Sequence, residues 1–200
     1  MNVPSMGEAQ VRGNWPKFIV RCTKRHKGAD GTAIADVLSA DLRREIREAG
    51  RLTWQGAHLL VGLAEEIRQA CGATEARAFW RACFLESISQ PMMAPLARGA
   101  LLLWGNSPDA LVRRTPQAWQ LMTRGCGNLK AVSVDEKNAI ILRAENMPRS
   151  FRVDGFLCMG EGGLESEMDY FGLVGSVETR AEHLATRGTV DFLARWEEKR

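Results

Sequence analysis

Little in this sequence is equipped to do chemistry. Only three His and one Tyr occur in 200 residues. There is no Gly-x-Ser-x-Gly, and no Cys is matched with a His and an acid, so nucleophilic hydrolysis is not expected. The one Gly-dense stretch, Gly160-Glu161-Gly162-Gly163, is followed by no Lys-Ser/Thr, which excludes a phosphate-cradling loop. The five Cys are odd in number and contain no Cys-x-x-Cys, which argues against a disulfide framework. Cys22 and His26 are four apart but lack two further ligands, so no metal site is expected. The longest apolar run, Gly99 to Trp104, is far too short to span a bilayer. No repeat or low-complexity tract is present, and a net charge of +3 is too small to implicate nucleic acid over the whole chain.

What is present reads as a globular protein. Two hundred residues, 45% apolar, can bury a core without disulfides or metals. Residues 1–14 are polar and Gly-containing, which predicts a disordered basic arm and no secretory signal; residues 15–200 are expected to form a single domain. Charge is uneven: residues 1–28 carry +5, leaving about −2 elsewhere. Arg21, Lys24, Arg25 and Lys27 are therefore candidates for binding an acidic partner. Trp15 and Phe18 lie among these basic residues, and weak nucleic-acid association through 12–27 is one alternative function. Cys71, Cys83 and Cys158 lie in apolar helical surroundings, as reduced thiols of a cytoplasmic protein would.

Periodicity predicts the order β-ααααα-ββ-α-ββ. Phe18 to Cys22 is β-branched and aromatic, which suggests a strand over 17–23. Val37, Leu38, Leu42 and Ile46 form a helical stripe that Ser39 could interrupt and cap. A helix over 55–71 ends at Gly72, and Thr74 could cap the next, which Pro91 and Pro95 break before a segment at 96–104. Ser107-Pro108 and Thr115-Pro116 are two helix starts, suggesting two short helices. Strands at 129–134 and 139–145 form a hairpin, a helix covers 154–171, and strands at 173–184 and 189–196 form a second hairpin. Val190, Phe192, Ala194 and Trp196 share one face of the last. The fold class is α+β, a helical block packed on a four- to five-stranded antiparallel sheet.

Several local patterns resemble a known family. Lys27-Gly28 lead into the first helices, Trp80 lies in the long middle helix, Gly155-Phe156-Leu157-Cys158-Met159-Gly160-Glu161-Gly162 lies between the hairpins, and the last strand closes on Trp196. Together they are similar to a myxobacterial paralogous family of unknown function. That family is related to the superfamily of vinyl-reductase-type domains, haem nitric-oxide-binding domains and TRAPP tethering-complex subunits. The resemblance implies the same α+β fold over residues 15–196 and a sensory or scaffolding role. It does not imply a cofactor. The haem branch needs a proximal His on a central helix, and residues 74–104 contain none. The Tyr-x-Ser-x-Arg motif of that branch is also missing, and Cys158 stands alone where the vinyl-reductase branch has a Cys cluster.

No catalytic group is expected. Glu161, Glu165, Glu167 and Asp169 read as a solvated helix face, and the glycines beside them as a close-packing surface. The kinked Pro91-Met92-Met93-Ala94-Pro95 could line an apolar pocket. The expected function is a non-catalytic sensory module in the cytoplasm that binds a small hydrophobic ligand, a protein partner or a second copy of itself. Its pocket would be lined by Trp80, Phe84, Met92, Trp104, Phe156 and Met159. The other alternative is an interaction scaffold with a filled core.

Overall fold

The computed structural model describes residues 8–28, 31–88, 90, 94–104 and 107–197, with the backbone alone at 96, 100, 103 and 104. The chain begins with β1 (Gln10–Arg12), α1 (Asn14–Thr23), α2 (Ile34–Val37), α3 (Ala40–Glu48), β2 (Trp54–Gly56) and α4 (His58–Ile88). Next come α5 (Ala94–Trp104), α6 (Pro108–Met122), β3 (Thr123–Arg124), β4 (Asn128–Ser133) and β5 (Ala139–Glu145). The chain closes with α7 (Asp154–Tyr170), β6 (Val174–Arg180), α8 (Leu184–Arg187) and β7 (Val190–Glu197).

Among the described residues the main sheet is antiparallel with order β4-β5-β7-β6. Its register aligns Ile140 with Ala194, Leu142 with Phe192 and Ala144 with Val190. All six are buried, because alternate residues of paired strands point the same way. α7 lies on this face, and α4 covers α7. Both approaches are close enough to require glycine. A Cβ on Gly160 would stand 2.5 Å from the Phe192 ring, and one on Gly162 would stand 2.5 Å from the Arg77 carbonyl of α4. Gly162→Ala should therefore cost about 1–3 kcal/mol in a denaturation experiment, since backbone cannot yield as a side chain can. Gly163→Ala should be nearly neutral, because its Cβ would meet only the Phe84 ring, at 3.5 Å. Equal costs at 162 and 163 would contradict this packing.

The α+β class and the two hairpins match the sequence reading. Gly72, at φ +81°, divides α4 where the sequence places a stop, and Ser39 Oγ accepts from Leu42 N to cap α3. Four expectations are corrected. Residues 17–23 are helical, not a strand: Trp15, Phe18, Ile19 and Cys22 recur at helical spacing and all face the core, which outweighs a short β-branched run. Residues 8–14 are not a loose arm, since β1 pairs with both β2 and β3 (residues 1–7 lie outside the described region). Residues 108–122 form one helix, with Pro116 inside it. β6 ends at Arg180, so His183 precedes α8 and is not on a strand. No helix among the described residues is long and apolar enough to cross a membrane.

Candidate functional site

A cavity of about 620 Å³ lies among α1, α4, α6, α7 and the main sheet. The helix period gives α7 two useful faces. Phe156, Met159, Gly160, Gly163 and Glu167 fall at i, i+3, i+4, i+7 and i+11, and all five line the cavity. Glu161, Glu165 and Asp169 form the neighbouring stripe, turned toward α4. There Arg77 grips Glu165 through two hydrogen bonds and reaches Glu161, while Arg81 pairs with Asp169. These acids are not a solvated face, as the sequence suggested; they bind α7 to α4.

The rest of the lining is largely apolar. α1 contributes Trp15 and Phe18, α4 contributes Phe84 and Ile88, and α6 contributes Trp119 and Met122. The sheet supplies Leu142 and Phe192. The rings interlock edge to face, with Trp15 against Trp119 at 5.9 Å and Phe156 against Phe192 at 6.4 Å.

Glu167 is the acid among the lining residues. Its Oε2 is shut off from solvent and has no hydrogen-bond partner among the described residues, while its Oε1 accepts from Thr115 Oγ1 at 2.8 Å. Burial pushes the carboxyl up to about 8, outweighing the Thr115 bond, which acts the other way. The side chain is therefore neutral near pH 7. Thr115 Oγ1 also lies 3.2 Å from the Leu111 carbonyl, and a hydroxyl has a single proton. Thr115 donates to Glu167 Oε1 or to the Leu111 carbonyl, one at a time, and Glu167 Oε2 is left facing the cavity.

The expected pocket residues divide three ways. Phe84, Phe156 and Met159 line the cavity. Trp80 does not: it is fully buried in the α4–α7 core, with its ring 5.2 Å from that of Phe79. Met92 lies outside the described residues, as does the side chain of Trp104. The basic candidates also separate. Arg21 lines the cavity, Arg25 pairs with Glu86, and Lys24 and Lys27 are exposed. Further basic groups of the segment are engaged internally, Arg12 over the Trp54 ring at 4.1 Å and Lys17 on the Arg47 carbonyl at 2.8 Å.

The architecture now has clear counterparts among solved structures. The chain has the fold of the H-NOX domains. An H-NOX protein from S. oneidensis, in the Fe(II) ligation state, is 11% identical with a TM-score of 0.62, covering 92% of this chain and 96% of that one. The Fe(II) unliganded H-NOX protein from K. algicida is 8% identical with a TM-score of 0.61, covering 94% and 97%. An oxygen-binding H-NOX domain related to soluble guanylate cyclases is 15% identical with a TM-score of 0.58, covering 94% and 99%. No protein-family model and no curated protein matches the sequence, so the fold alone places this chain, and no match supports the myxobacterial family.

The H-NOX fold raises the question of haem, and the cavity does not fit it. Haem iron in proteins is held by His, Cys thiolate or Tyr, or by Met opposite His. None of the cavity's lining residues is a His, Cys or Tyr. His26 packs edge-on against Phe79, His58 is exposed and bonded to Glu45, and His183 precedes α8, away from the cavity lining. The residues outside the described region contain no His, Cys or Tyr either. Met122 and Met159 offer thioethers with no imidazole to complement them. The thiols lie elsewhere. Burial raises Cys158 and lifts Cys126 to about 11. Cys22 is held below its ordinary value, chiefly by a hydrogen bond from Cys83. Among the described residues no group of three His, Cys, Asp or Glu could hold a metal ion.

In the sequence, Trp15 and Phe18 are masked by a strand-like run, and Glu167 reads like the acids beside it. The i, i+3, i+4, i+7, i+11 spacing of α7 is the signal that separates Glu167 from those neighbours.

Proposed function

We propose that this protein is a non-catalytic sensory module that binds a small apolar ligand without haem. The cavity of about 620 Å³ carries the reading. Its volume falls within the range of small-molecule sites, and its aromatic lining suits an apolar body. A filled-core scaffold would have no use for such a void. H-NOX domains, one of them described as oxygen-binding, supply the precedent for a sensor on this fold, while the missing iron ligand separates this chain from them. In this reading the protein acts in the cytoplasm and passes occupancy to a protein partner or a second copy through α1 or α4, which border both the cavity and the surface.

Titration with the neutral fluorescent probe N-phenyl-1-naphthylamine tests this. Saturable, blue-shifted emission is expected for the wild type. Ala118→Phe, which projects a ring into the cavity from α6, should weaken binding at least 10-fold; Gly163→Leu is a second blocking variant made from a position with room for a side chain. Haemin added to the wild type should give no sharp Soret band. A folded wild type that does not bind the probe, or that binds it as both blocked variants do, would overturn the reading.

A further inference from the structure

The cavity has a charged rim whose cations have no carboxylate partner among the described residues. Most arginines described in this chain are engaged: Arg77 with Glu165, Arg81 with Asp169, Arg113 with Asp109, Arg143 with Asp191 and Arg195 with Glu136. Arg21 and Arg51 differ. Both border the cavity, both are exposed, and neither has a carboxylate or carbonyl partner among the described residues. Arg21 is steered to the rim by its own helix, since its guanidinium lies over the Phe18 ring at 5.8 Å, and Phe18 is itself part of the lining. The interior is the reverse: largely apolar, with its one buried acid neutral near pH 7 and so not repelling a negative ligand.

We propose that the ligand is an amphipathic anion, an apolar body ending in a single carboxylate, with the body in the cavity and the carboxylate held at the rim by Arg21 and Arg51. Guanidinium forks match carboxylates in shape and charge, and at the rim the carboxylate keeps its hydration on the outer side. The charge then need not be buried, which an apolar cavity would penalise heavily. This rests on the apolar-ligand reading above, and the experiment separates the two.

Decanoate and decan-1-ol share a chain and differ in the head group. Each is used to displace N-phenyl-1-naphthylamine from the wild type and from Arg21→Gln/Arg51→Gln at pH 7. Decanoate is expected to compete at least 10-fold better than decan-1-ol on the wild type, with an advantage that shrinks as salt rises. In the double variant the ratio of decanoate to decan-1-ol competition should fall to about one whatever its own affinity for the probe, and both positions are exposed, so folding should not depend on them. Equal competition by the two ligands, or a preference that survives in the double variant, overturns the carboxylate proposal and leaves the apolar-ligand reading standing. Failure of the wild type to bind the probe removes the apolar-ligand reading itself.

Discussion

Glu167→Gln is expected to make the protein more stable, by a margin that grows with pH. An unfolded glutamate gives up its proton near pH 4.5, while Glu167 in the fold keeps it to about pH 8. Between those values the native state binds a proton that the unfolded state has released, so wild-type stability falls as pH rises through the window and levels off above it. Glutamine has nearly the same volume, can accept from Thr115 Oγ1 through its amide oxygen as Glu167 does, and has no proton to hold. A tenfold difference in proton affinity between the folded and unfolded chain is worth about 1.4 kcal/mol, and the residue's partial exposure to the cavity reduces the full sum. We expect a gain of about 3 kcal/mol at pH 8, or roughly 6–12 °C in Tm, falling to about 0.5 kcal/mol at pH 5. Denaturation of both proteins at pH 5, 6, 7, 8 and 9 checks this. Parallel stability curves would show that the acid is already ionised in the fold.

Arg77→Ala should have the largest destabilising effect among the ion pairs. Arg77 Nε lies 2.9 Å from Glu165 Oε2, and Glu165 is only 8% exposed. The same guanidinium stands 3.4 Å from Glu161 Oε2 and 3.5 Å from the Val177 carbonyl of β6, so it links α4, α7 and the sheet. Removing it leaves a buried carboxylate without a cation, a loss of about 3–4 kcal/mol. Arg77→Met combined with Glu165→Leu should recover most of that, since the cost arises from the stranded charge and not from a missing attraction. Arg81→Ala, whose pair with Asp169 is more exposed, should cost about 1 kcal/mol or less. Denaturant titration of the three variants tests the order. A loss in Arg77→Ala no larger than in Arg81→Ala would mean that Glu165 is solvated.

Both predictions concern α7, where the sequence is legible in outline and ambiguous in detail. Three glycines in four residues indicate close packing, and the approaches of Gly160 to Phe192 and Gly162 to Arg77 bear that out. Four acids on one helix, by contrast, look alike in sequence. Whether such an acid meets an arginine, a cavity or water depends on what stands opposite, and here that is α4, some 90 residues away. The strand alternation of 190–196 is readable because a period of two over several residues has few rivals. The segment 17–23 is not, because Phe18, Ile19, Val20 and Cys22 suit a strand as well as a helix, and the deciding residue, Trp15, lies just ahead of them. Half of the expected pocket, Phe84, Phe156 and Met159, emerges from apolar spacing on two helices that do meet at the cavity. Trp80 shares a face of α4 with Phe84, but one turn earlier, where α4 is pressed against Gly162 of α7, so its ring is buried in that contact and not at the cavity.

The fold and its contents point in different directions, since H-NOX architecture suggests haem while this cavity supplies no ligand for iron. Native mass spectrometry with visible absorption spectroscopy, on protein purified gently from cells, addresses that directly. The wild type is expected to carry an added organic mass that is reduced or absent in Ala118→Phe, with no Soret absorbance in either. An iron porphyrin bound to the wild type, or an identical mass adduct in both proteins, would contradict a haem-free apolar site at this position.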